Sequence, residues 1–288
     1  MRAARRRLRG EKNSPPNADE YEWTASCAVR PRRPSLSADA GESVAPPLTG
    51  ASPGTATAPP PLVQAACALR CAVASALRAG DLELAELLLE KLRDLATESW
   101  APAAARGELA RALGVFHIVS WREESEPRAQ QALAELTALA RLPDAGAQER
   151  EQLARAWSRE YGIADRSGDL SRAEQALATL RSNAHTTHAV ELDRTLLARA
   201  LYRGHRSQLS RTRREDSARL LAELRAVARD PRASTEDRLY FARALIDAVW
   251  MARNPGSRRS RALRTECLEI LDAMRTEPTA RALRMRLP

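Results

Sequence analysis

A helical stripe returns along this chain at nearly fixed intervals, and few folds can satisfy that pattern. Ala85 leads Leu88, Leu89 and Leu92; Ala129 leads Ala132, Leu133 and Leu136. Ala173 leads Ala176, Leu177 and Leu180; Ser217 leads Leu220, Leu221 and Leu224. Arg264, a weaker match, leads Cys267, Leu268 and Leu271. The intervals between the leading residues are 44, 44, 44 and 47. A small residue followed by apolar positions at +3, +4 and +7 is one face of an α-helix. One helix pair cannot bury such a face alone, whereas stacked pairs can. The expectation is an all-α fold: a right-handed α-solenoid of about five helix pairs over residues 61–288.

Each repeat also holds an earlier helix. First helices are expected near 62–79, 103–121, 145–166, 187–204 and 234–253. Second helices are expected near 82–97, 126–141, 170–182, 215–229 and 257–275, with a short closing helix near 279–286. Ala, Arg and Leu supply nearly half of the 288 residues and aromatics only 4%, a mixture suited to long helices and poor for sheets. Past residue 61 the prolines stand between periodic stretches, where helices start or stop. Ser234 with Asp237 resembles a capping box, and Ser125 and Asp144 are candidate N-caps.

Residues 1–60 have a different texture. Ten of seventeen prolines fall in 1–61, mixed with Gly, Ser, Thr and Ala. Such a stretch buries too little apolar surface to offset its ordering entropy, so it reads as a disordered leader. The most apolar window, Leu62–Ala79, is interrupted by Gln64, Arg70 and Arg78, which argues against a membrane span. Cysteine is sparse and no CxxC pair or signal peptide is visible, so the expected setting is reducing and cytoplasmic.

Trp157, Ala164, Gly168, Asp169, Ala173 and Leu177 follow the spacing of the tetratricopeptide repeat, and Ala76, Gly80, Asp81, Ala85 and Leu89 follow it in part. Residues 62–275 therefore resemble that family. The period here is longer, Tyr161 and Val73 stand where the family has a small residue, and three repeats lack the Gly-Asp turn. The resemblance implies binding rather than catalysis, as in bacterial regulators and the sensory halves of bacterial signalling enzymes.

Motifs for chemistry are absent: no P-loop, GxGxxG, GxSxG, HExxH or EF-hand spacing occurs. No cofactor or metal is expected. Cys67 and Cys71 share a helix face but have no second pair, and read as core residues. His185 and His188 have no third ligand nearby and read as a helix-start loop. His117 and Trp121 read as a helix face against its neighbour.

Charge is more informative. Residues 201–288 carry 20 basic and 11 acidic side chains, against 8 and 11 in 61–140. Two segments hold no acid: Arg203, Arg206, Arg211, Arg213 and Arg214, then Arg253, Arg258, Arg259, Arg261 and Arg264. Both fall at turns between first and second helices, which in a solenoid share one edge. The matching turn of repeat two holds Glu123, Glu124 and Glu126. Arg outnumbers Lys 44 to 2, so GC-rich codon bias also raises the arginine count. The expectation is a non-enzymatic scaffold whose basic edge binds a protein partner, an acidic one if the edge is used. The alternatives are an input module of a bacterial signalling enzyme and a basic nucleic-acid-associated protein. The two segments lack aromatics for stacking bases, which counts against single-stranded nucleic acid.

Overall fold

The computed structural model describes residues 61–287 except 99–100, 187–188 and 253–255. The expected leader, 1–60, lies outside the described residues. Helices fill the described chain and no strand occurs among the described residues. In order they are α1 (Pro61–Ala79), α2 (Leu82–Thr97), α3 (Ala103–Arg122), α4 (Glu126–Ala140), α5 (Ala147–Ser167), α6 (Leu170–Ala184), α7 (Glu191–Ser210), α8 (Arg214–Arg229), α9 (Thr235–Trp250), α10 (Arg258–Ala273) and α11 (Pro278–Arg284).

The helices form five pairs, α1/α2 to α9/α10, with α11 against α9 and α10. Each odd helix also packs on the odd helices beside it and on the preceding even helix, whereas the even helices do not pack backbone to backbone on one another. The odd helices therefore make one continuous layer, and the even helices a second, more widely spaced one. Near the start of α7, Thr195 donates to Asp237 near the start of α9 (2.8 Å); near its end, Ser207 donates to Asp165 near the end of α5 (2.8 Å). Neighbouring odd helices thus run parallel, and the turns that follow them share one edge.

Four of those turns have the same backbone. Gly80, Glu124, Gly168 and Thr212 stand 44 residues apart, all at positive φ between 58° and 80°. The next residue in each donates its N–H five residues back, to Ala76, Ser120, Ala164 and Gln208 at 2.8–3.0 Å, the left-handed closure that satisfies last-turn carbonyls. Only two of the four show Gly-Asp in sequence, so the geometry outlasts its signature. After the two glycines, Asp81 and Asp169 accept from the N–H of Leu84 and Arg172 and cap the next helix. The Ser234–Asp237 capping box forms in both directions (3.1 and 2.9 Å). Asp144 is not an N-cap: Gly146 holds that place, and the Asp144 carboxylate takes Arg106 at 2.5 Å. α7 runs to Ser210 rather than 204, because Gly204 sits inside the helix where the Tyr161 hydroxyl packs against it.

The register of the fifth repeat also differs from expectation. Ala85, Ala129, Ala173 and Ser217 are buried, but Arg264 is exposed. The equivalent buried small residue is Ser260, 2% exposed, with Cys267 and Leu271 buried seven and eleven residues on. The last interval is therefore 43, not 47: a polar serine leads the stripe, and a residue-type pattern slips one turn to the next apolar triplet.

The apolar core forms two clusters, one through α1–α5 and one through α5–α11, with Trp157 packed against both. Between them lies a polar seam. His117 and Glu160 are fully buried, and His117 Nε2 faces Glu160 Oε2 at 3.2 Å. A carboxylate only accepts, so that nitrogen carries the proton. Trp121 Nε1 (3.1 Å), Gln130 Nε2 (3.0 Å) and Arg172 Nε (2.6 Å) also donate to Glu160. Burial pushes the Glu160 carboxyl up, but the hydrogen bonds from His117 and Arg172 outweigh it and hold the carboxyl below its usual range.

The even layer is interrupted at the same place. Forked Arg–Glu pairs join neighbouring even helices: Arg93 to Glu135, Arg181 to Glu223 and Arg225 to Glu266, at 2.7–3.2 Å. Between α4 and α6 the equivalent positions are Thr137 and Thr179, each bonded to its own helix backbone. There Arg172 reaches Glu126 (2.7 Å) and stacks 4.4 Å from the Trp121 ring centroid.

Candidate anion-binding face

The expected basic edge is present in part. Arg206, Arg213, Arg214, Arg258, Arg259, Arg261 and Arg264 are exposed, and Arg253 lies outside the described residues. Two of the named arginines differ. Arg211 bonds the Asp165 carbonyl at 2.5 Å and lies 3.6 Å from its carboxylate, fastening the end of α7 to α5. Arg203 is half-buried within the odd layer. The expected edge is thus exposed at the α8 and α10 starts, but it is not where arginine is most concentrated.

That place is the free face of the odd layer. An odd helix gives one side to its pair partner and two sides to neighbouring odd helices, leaving one stripe at i, i+4, i+7 and i+11. The stripe on α3 is Arg111, Val115, Ile118 and Arg122. On α5 it is Arg155, Arg159, Gly162 and Arg166; on α7, Arg199, Arg203, Arg206 and Ser210; on α9, Arg243, Asp247 and Trp250. Nine of these fifteen positions are arginine and one is acidic. Arg111, Arg155, Arg199 and Arg243 stand 44 residues apart, one in each of repeats two to five.

The electrostatics follow. Burial, then the charge of Arg203, presses both Arg166 and Arg199 below the ordinary guanidinium value, and burial does the same to Arg203 itself. Arg243 lies 5.5 Å from the Tyr240 ring centroid. Arg155 pairs with Glu151 (2.6 Å) and Arg111 with Glu108 (2.6 Å). These neighbouring acids hid the row from a search for acid-free segments. The recurrence of arginine at 44 residues, on the stripe opposite the leucines, would have found it.

The remaining candidates carry less. Cys71 is exposed and Cys67 half-buried, so the expectation of core packing fails for Cys71; Arg70 Nη2 lies 3.6 and 3.5 Å from the two sulfurs. Cys267 is buried in the core, which pushes its thiol up to about 12. His185 is exposed, and His188 lies outside the described residues. No cluster of three metal-ligating side chains occurs among the described residues. Among them one helix, α1, is long and apolar enough to cross a membrane by length and composition. Its Val73, Ala76 and Leu77 pack into the core, and Arg70 pairs with Glu108 of α3 (2.5 Å). No family model, curated protein or solved structure matches the chain.

Proposed function

We propose that this chain is a non-enzymatic, cytoplasmic adaptor of the tetratricopeptide-like kind, which holds an extended acidic segment of a partner protein along the free face of its odd helices. The observation that carries this reading is the excess of nine arginines over one aspartate on that face. Successive odd helices offer arginines at one helix spacing, about 8–10 Å, along a continuous layer. An extended peptide places same-side residues about 6.5–7 Å apart, so an acidic strand crossing the layer meets a guanidinium at nearly every helix. Protein is favoured over nucleic acid because the face offers one exposed aromatic, Trp250 at its end, too few for stacked bases.

The test is fluorescence anisotropy of a labelled glutamate-rich peptide with the full chain. Changing Arg155, Arg199 and Arg243 to Gln together should weaken binding about tenfold, since exposed pairs contribute about 0.2–1 kcal/mol each. Changing Arg213, Arg258 and Arg259 to Gln should change it less than about twofold. The reverse order of effects would move the site to the turn edge. Tighter binding of single-stranded DNA than of the peptide would replace the protein reading.

A further inference from the structure

The stack closes differently at its two ends. At one, α11 lies on α9 and α10 with Ala280 and Leu283 buried, and leaves Arg281, Arg284 and Arg286 exposed. At the other, no helix among the described residues covers the outer side of α1 and α2. Each later odd helix has a row that faces the odd helix before it. On α5 this row is Gln152, Ala156 and Glu160: Gln152 lies against Gly114 of α3, and Glu160 takes His117. The equivalent row on α1 is Gln64, Ala68 and Ala72. Alanine holds the middle position in all five repeats, as Ala68, Ala112, Ala156, Ala200 and Ala244. The last four are at most 1% exposed, whereas Ala68 is exposed. The even helices show the same break. The row of α4 that faces α2 holds Arg128 and Glu135, which pair with Glu86 and Arg93. Where α4 has Arg128 and Gln131, α6 has Arg172 and Gln175, and α8 has Asp216 and Arg219. There α2 has Leu84 and Leu87, 44% and 50% exposed. A repeat at a free end needs a polar outer face to stay soluble. This one offers alanines and leucines, a surface of the kind that marks an association site.

We propose that this end binds a second copy of the chain, α1 and α2 packing antiparallel on their counterparts about a two-fold axis level with Leu87. Leu87 then meets Leu87 of the other copy. Glu83 and Lys91 lie four residues to either side of it, both exposed. The axis therefore brings each Lys91 to the level of the other copy's Glu83, twice per dimer. An isologous contact must be complementary to itself, and this arrangement of charge around a leucine is. On α1 the small side chains of Ala68, Ala72 and Ser75 let the two backbones approach closely. A face two helices wide and about 24 Å long covers about 500 Å². Over both copies that is about 1,000 Å², at the lower end of specific interfaces. Because α11 closes the opposite end with arginines, assembly stops at two copies.

The experiment is sedimentation velocity of the full chain from about 1 to 100 μM, where an interface of this size associates. Helical CD and a thermal melt of each variant show that the fold is kept. A monomer–dimer equilibrium is expected within that range. Leu87→Arg should be monomeric throughout, since it sets two like charges against each other at the axis. Leu142→Arg, at an exposed leucine in the turn after α4, should leave the dimer unchanged. Lys91→Glu should weaken dimerisation about tenfold, because it places two acids at one level twice. Adding Glu83→Lys to the same chain should restore it to within about threefold, since the swap rebuilds both pairs with their signs exchanged. A chain monomeric at every concentration overturns the dimer and, if it floats with phosphatidylcholine vesicles, gives the face to a membrane. Growth beyond two copies, a dimer intact in both Leu87→Arg and Lys91→Glu, or a charge swap without recovery also overturns it.

Discussion

Replacing Glu160 by Gln removes the charge around which the seam is built. The substitution keeps size and shape, but it turns one acceptor oxygen into an amide nitrogen facing either the His117 and Trp121 donors or the Gln130 and Arg172 donors. Breaking a buried ion pair costs about 3–5 kcal/mol. Arg172 keeps Glu126 and the Trp121 ring, and its side chain is 20% exposed, so the expected loss is about 2–4 kcal/mol. For a fold of this length that corresponds to a fall in Tm of roughly 5–15 °C. The carboxyl is held below its ordinary value of 4.5, so its contribution is full above that pH and is lost as pH falls through the lower folded value. Wild type should therefore weaken more than the variant as pH drops below about 4.5. The assay is thermal denaturation of the full chain followed by CD at pH 7 and at acid pH. With its seam weakened the stack has two apolar clusters that can melt apart, so the variant's transition should also broaden. A Tm within about 2 °C of wild type, or an identical pH profile, would refute the account of the seam.

Thr212→Gly should raise stability by about 1 kcal/mol, because a β-branched residue is held at φ 61° where glycine has no penalty; a lower Tm would contradict the shared turn. Ser260→Leu should destabilise by about 1–3 kcal/mol through overpacking, while Arg264→Leu should be nearly neutral; the reverse would restore the 47-residue interval. His205 is buried, which pushes its imidazole below the ordinary 6.5 against the pull of the Ser217 and Ala244 carbonyls. Its neutral form is the folded one, so wild type should lose stability as pH falls below 6.5, and His205→Gln should flatten that stretch of the profile.

The leucine stripe made the helix pairs legible because burial of one face leaves a period that composition cannot hide. Ser260 broke that legibility, since a buried serine looks polar in sequence. The turns at Glu124 and Thr212 were illegible for the same kind of reason: backbone geometry persists where the favoured residue does not. The turn arginines were legible as charge but not as structure, since Arg211 is held on Asp165 by the packing of α7 on α5. The stripe Arg111, Arg155, Arg199 and Arg243 was present in the spacing, masked by the acids that pair with its members. The seam could not be read at all, because Glu160 and Arg172 meet across a turn and His117 arrives from the preceding repeat.

The most direct measurement is arginine-selective chemical footprinting of the full chain, read by mass spectrometry, with and without the glutamate-rich peptide. Arg155, Arg199, Arg203 and Arg243 should be protected by the peptide, while Arg213, Arg258, Arg259 and Arg261 react as before. Protection confined to the turn arginines, or protection of neither group at a peptide concentration that saturates the anisotropy signal, would contradict the assignment of the binding face.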